Sequence, residues 1–129
     1  MSSVQEMTGV EQDTLIHSAE DIYDDGFLRV EHKNYYVACG GSPLKLPRTE
    51  FLIFSRLTRT PNRIVTADDL WSSVWGSNKP LNSESLHVYI YRLRAKLAEF
   101  ELQIETMVNV GYRLITSRKP VKTRFSAQC

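Results

Sequence analysis

Apolar residues recur at helical spacing three times in the middle of the chain. Phe51, Phe54 and Leu57 share one face, so residues 48–59 read as a first helix. Pro61-Asn62 ends it. Thr66, followed by Asp68 and Asp69, supplies a cap oxygen and two acids at the positive end of a second helix. Leu70, Trp71, Val74 and Trp75 fill that helix and Gly76 stops it. Leu86, Ile90, Leu93 and Leu97 recur at steps of four, three and four. They mark the buried stripe of a third helix capped by Asn82 or Ser83.

Short β-prone runs flank the helices. Residues 27–31, 35–39 and 43–46 are separated by the turn signals Lys33-Asn34 and Gly40-Gly41-Ser42, and predict a three-stranded antiparallel meander. Arg63-Ile64-Val65 has the makings of one very short strand. Residues 103–107 and 111–116 predict a hairpin, with Asn109 and Gly111 best suited to positive φ. Residues 1–26 have no sustained period, although Leu15, Ile16, Ile22 and Tyr23 are apolar; they are expected to form a mostly flexible leader. Residues 117–129 read as a basic tail in which Phe125 is the one candidate anchor.

Charge sharpens this division. The formal net charge of the 129 residues is +1. Residues 1–26 contain seven acids and no Lys or Arg, giving −7, whereas residues 27–129 hold all 16 basic residues against 8 acids, giving +8. A globular part with that excess attracts polyanions, and an acidic leader of opposite sign competes for the same surface. Two cysteines, Cys39 and Cys129, are too few for a disulfide framework, and the start of the chain carries no basic and apolar targeting pattern. No run approaches the roughly 18 apolar residues of a membrane span. A cytoplasmic protein without a membrane anchor is expected.

The third helix carries the most informative surface. Opposite its aliphatic stripe lie Ser85, Val88, Arg92 and Ala95, flanked by Glu84, Tyr91 and Lys96. Small residues let a backbone approach base edges, one arginine can contact guanine bidentately, and Val88 can meet a thymine methyl. Tyr91 and Lys96 suit phosphates, which set register. A helix followed by a hairpin suits a groove with a grip beside it. Catalysis has little to build on. His17, His32 and His87 are scattered, Cys39 lies on an expected strand, and no metal-ligand spacing or phosphate-binding Gly-rich loop is present. The expectation is therefore no enzyme, no metal and no cofactor.

Leu93-Arg94-Ala95-Lys96-Leu97, Glu105-Thr106 and Val110-Gly111-Tyr112-Arg113 resemble the signature of OmpR/PhoB-type winged-helix DNA-binding domains. Glu50-Phe51 at the first helix and Val74-Trp75-Gly76 at the end of the second extend the resemblance over about residues 27–116. It implies an α+β winged helix-turn-helix: a four-stranded antiparallel sheet, three helices and a C-terminal hairpin wing. It also implies a transcriptional regulator that binds double-stranded DNA, with the third helix in the major groove. By position, Ser85, Val88, Tyr89 and Arg92 would read bases, and Tyr91, Arg94, Thr106 and Tyr112 would hold phosphates. Trp75 would either anchor the DNA backbone or belong to the core. The family further implies head-to-tail dimers on direct repeats and contact of the 76–82 loop with RNA polymerase.

Several positions depart from that pattern. Glu84 stands where many members carry a basic residue, and Val108-Asn109 replace Arg-Gly at the wing. The wing thus lacks the cation that reads a narrow minor groove. Pro47 replaces a capping Thr, so Thr49 is expected to take over. Residues 1–26 are too short for a two-component receiver, so no phosphoacceptor is expected in the chain. The apolar Val88–Tyr91 surface keeps an alternative open, a winged helix that binds RNA polymerase or another regulator.

Overall fold

The computed structural model describes residues 21–116, so the first twenty residues of the expected leader and the basic tail 117–129 lie outside the described residues. The chain divides after Lys45 into two compact units, each considered by itself.

The first unit contains a four-stranded antiparallel sheet in the order β1-β2-β3-β4, formed by Ile22–Asp24, Leu28–Glu31, Tyr36–Cys39 and Ser42–Pro43. The expected meander therefore gains a strand from the segment read as leader. β1 is held by backbone pairing, with Ile22 opposite Glu31 and Asp24 opposite Arg29. Its connection to β2 is an Asx-type turn: Asp24 Oδ1 accepts from the Gly26 N–H, and Asp25 Oδ1 accepts from the N–H groups of Phe27 and Leu28. In β2, Leu28 and Val30 are buried while Arg29 and Glu31 alternate with them. Leu28 pairs with Cys39, and Val30 with Val37. The Cys39 side chain is buried.

The second unit contains three helices and a second sheet. Helix α1 spans Arg48–Arg59, α2 Ala67–Trp75 and α3 Ser83–Leu97. The helix starts separate by mechanism. Thr66 Oγ1 accepts from the Asp69 N–H at 3.1 Å, and Asn82 Oδ1 from the Ser85 N–H at 3.0 Å. Asn82, rather than Ser83, thus caps α3. α1 opens after Pro47 without a side-chain cap, which overturns the expectation for Thr49. Proline needs no donor there, and its carbonyl still accepts from the Phe51 N–H at 2.8 Å.

α1 packs on α2, α3 and the second strand of the C-terminal hairpin. Phe51, Ile53, Phe54 and Leu57 meet a core completed by Leu70, Leu86, Ile90, Leu93, Leu97 and Leu114, all almost fully buried. The hairpin is β6 (Gln103–Met107) and β7 (Gly111–Ile115), and the short β5 (Val65–Thr66) adds to the outer edge of β7 in the order β5-β7-β6. Asn109 takes φ 64° at the hairpin tip, as its position suggested. Gly111 does not share that reason. It is not among the positive-φ residues; a Cβ there would run into the Val65 carbonyl, with Thr66 Cα at 2.7 Å. Glycine is required by close approach of two strands, a distance no local pattern reports.

Candidate nucleic-acid interface

α2 and α3 form a helix-turn-helix joined by the 76–82 loop. Gly76 ends α2 at φ 90°, a conformation that favours glycine. The loop returns to α2 through Trp71, whose Nε1–H donates to the Lys79 carbonyl at 3.0 Å. α3 then presents two distinct faces. Leu86, Ile90, Leu93 and Leu97 are sealed inside, while Val88 is 46% exposed and Tyr91 70% exposed. Arg92 and Ala95 are also exposed, and Ser85 is half-buried near the capped end.

The nine residues singled out in the sequence fall into two groups. Val88, Tyr91, Arg92 and Thr106 are exposed and Ser85 is half-buried, although the Thr106 hydroxyl already accepts from Arg94 and Arg92 lies over the Tyr89 ring. The other four are engaged within the protein. Lys96 forms an ion pair with Glu50 of α1, whose side chain is only 3% exposed. Arg94 Nε donates to the Ile104 carbonyl at 2.8 Å and its Nη2 donates to Thr106 Oγ1, so it clamps α3 to β6. Tyr112 is buried, with its hydroxyl 3.4 Å from His87 Nδ1. Loss of hydration raises its phenol above the ordinary value, against a smaller opposing effect of the Arg94 charge. Tyr89 is half-buried against Trp75 and Arg92. These pairings join residues up to 46 positions apart, and helical spacing gives no signal for them.

The hairpin tip is apolar. Val108 is 75% exposed, and Met107 and Val110 are exposed beside it. Arg113 on β7 is paired with Glu105, its direct cross-strand partner on β6. Between the start of α3 and the hairpin lies a cleft of about 870 Å³ that Asp68, Glu84, His87 and Val88 line together with residues 106–112. Its described lining residues include two carboxylates and no Lys or Arg.

Hairpin and helix-turn-helix share a joint. The Ala67 N–H, the first of α2, donates to the Val110 carbonyl at 3.0 Å. Thr66 pairs with Gly111 as a strand residue and caps α2 with its side chain. At the base of the hairpin, Asn62 accepts from the Thr116 N–H at 2.9 Å and donates to its hydroxyl at 2.8 Å. Among the described residues, no group of three or more His, Cys, Asp or Glu side chains is placed to hold a metal ion, and no helix is long and apolar enough to cross a membrane.

A helix-turn-helix with an open second helix, followed by a β-hairpin anchored to it, defines the winged-helix class. Within that class, residues 41–114 match the family described as "Transcriptional regulatory protein, C terminal", and the chain belongs to it: it carries an OmpR/PhoB-type DNA-binding domain of transcriptional regulators. The regulatory protein VanRB of Enterococcus faecalis is 36% identical over 89 residues, which cover 69% of this chain and 40% of that protein. The sensory transduction protein RegX3 of Mycolicibacterium smegmatis is 29% identical over 98 residues, covering 74% of this chain and 43% of that protein. The chain thus spans less than half the length of either relative. Among solved structures, the RstA DNA-binding domain of Klebsiella pneumoniae in complex with the RstA box superposes with a TM-score of 0.63 at 28% identity, over 73% of this chain and 96% of that one.

Proposed function

We propose that this chain binds double-stranded DNA in a sequence-specific way, with α3 in the major groove and the β6–β7 hairpin alongside. The observation that carries this reading is the division of α3 into a sealed aliphatic face and an open face of Ser85, Val88, Tyr91, Arg92 and Ala95. Arg92 is the base reader and Val88 the apolar contact. Tyr91 and Thr106 meet phosphates, while Arg94, Lys96 and Tyr112 hold the reading elements in place. The similarity to the RstA DNA-binding domain, solved in complex with the RstA box, supports DNA binding here. Direct repeats bound head to tail, and contact of the 76–82 loop with RNA polymerase, belong to the same reading.

Selection of bound duplexes from random DNA, repeated with Arg92→Ala, tests it. One base-pair position should relax, at a cost of about 1–3 kcal/mol. A uniform loss over all sequences would make Arg92 a phosphate contact. With about five phosphates neutralised, log affinity should fall against log salt with a slope near −4 to −5.

One observation favours a second reading. The apolar hairpin tip and the two carboxylates in the adjoining cleft suit a protein surface better than a phosphate backbone. Absence of DNA binding at about 50 mM salt would select this protein-partner reading.

A further inference from the structure

The aromatic residues of α2 and α3 form a ladder that ends on Arg92. At one end Trp71 is buried and fixed to the 76–82 loop by its bond to the Lys79 carbonyl. Trp75 stacks on it with ring centroids 4.0 Å apart and planes 24° apart. Tyr89 follows across the interhelical gap, 5.5 Å from Trp75 and tilted by 48°. The guanidinium carbon of Arg92 lies 5.8 Å from the centre of the Tyr89 ring. Sequence spacing builds both halves: Trp71 and Trp75 are neighbours at i, i+4 on α2, and Tyr89 and Arg92 at i, i+3 on α3.

A flat, permanently charged guanidinium is attracted to an aromatic face, and arginine both stacks and pairs there. Arginine is also a side chain with much rotamer freedom to lose on binding. A group already confined in the free protein loses less when it meets a base edge, and the wrong base gains nothing from the confinement.

We infer that Tyr89 and Trp75 are positioning residues for Arg92: the ladder holds the guanidinium ready on the open face of α3, and base discrimination at the position Arg92 reads depends on it. Tyr89 then acts through Arg92 and makes no base contact of its own. The inference rests on the reading of Arg92 as the base-reading group.

The test uses the full chain with Tyr89→Leu, Tyr89→Phe, Trp75→Leu, Arg92→Ala and the double variant Tyr89→Leu/Arg92→Ala. Each is measured against the selected duplex and its single-base substitutions, with a melting curve as folding control. Tyr89→Leu should reduce discrimination about two- to fivefold at the one position that Arg92→Ala relaxes, and leave the others unchanged. Tyr89→Phe keeps the aromatic face and should keep the discrimination. Trp75→Leu should relax the same position. The double variant should discriminate no worse than Arg92→Ala alone, because two residues acting through one contact are not additive. In the free protein, NMR should show the Arg92 side-chain protons shifted upfield by the ring, with the shift lost in Tyr89→Leu and kept in Tyr89→Phe.

A uniform loss of affinity in Tyr89→Leu, or a further loss of discrimination in the double variant, would overturn the positioning role while leaving Arg92 as the reader. Equally, unshifted Arg92 protons in the unbound wild-type chain would remove the ladder's last rung. If Arg92→Ala relaxes no position, the base-reading assignment itself falls and the inference falls with it.

Discussion

Single residues decide how the hairpin meets the helices, and two of them make sharp predictions. Gly111→Ala places a methyl group against the Val65 carbonyl and 2.7 Å from Thr66 Cα, where backbone has to move. Overpacking of this kind should cost about 1–3 kcal/mol, read as a lower urea midpoint at unchanged slope. Lys96 is the second case. Its partner Glu50 is buried, so Lys96→Met leaves a carboxylate without its cation. A fully buried pair would lose more, but Lys96 remains 37% exposed, and a loss of about 1–2 kcal/mol is expected. Glu50→Gln in the same chain should restore part of it. If Lys96 instead serves DNA, its removal should lower the salt slope by about one and leave the urea midpoint alone. Neither role was legible in the sequence. Gly111 looked like a turn glycine because it follows Asn109, and Lys96 looked like a surface cation because its partner is on another helix.

At the scale of elements, apolar periodicity located all three helices, and the Thr66-Asp68-Asp69 start gave α2 its cap. The strand β1 escaped notice for a physical reason. Three residues within an acidic stretch offer no alternation, and its place comes from backbone pairing with β2. The charges around it are organised. Arg29 bridges Asp24 and Glu31 at 2.9 Å each, and Asn34 donates to Glu31 at 2.8 Å. The Gly26 N–H first, then Arg29, holds Asp24 below its ordinary 3.8; Asn34 first, then Arg29, holds Glu31 below its ordinary 4.5. A carboxylate lowered by folding stabilises the folded state fully above its ordinary value, and that stability is lost as pH falls through the lower folded value. The first sheet should therefore weaken on acidification below about pH 4. Arg29→Gln should flatten this acid-side dependence in the amide exchange of β1 and β2. An unchanged pH profile would remove the network from the account.

At the scale of the whole chain, charge is the remaining lever, and it was fully legible in the sequence. Residues 1–20 carry four acids and no Lys or Arg. We propose that they compete with DNA for the positive part of the protein. A deletion should stop at residue 20, because Ile22–Asp24 belongs to the sheet. It should tighten DNA binding at low salt and change little at high salt, where a Debye length of a few ångströms screens the tail. Equal affinity of the two chains at low salt would sink the idea. The open face of α3 was legible too, whereas the division of its cations between structure and surface was not, since it depends on partners that folding alone brings near. The joint at Thr66 has one last consequence. One residue ends a strand, starts α2 and faces the glycine that begins the inner wing strand, while Arg94 clamps α3 to β6, so the hairpin and the helix-turn-helix are ordered together when the chain folds. Conformational entropy that a hinged wing would surrender on meeting its target is already spent before the encounter, and the reading head arrives as a single preassembled tool.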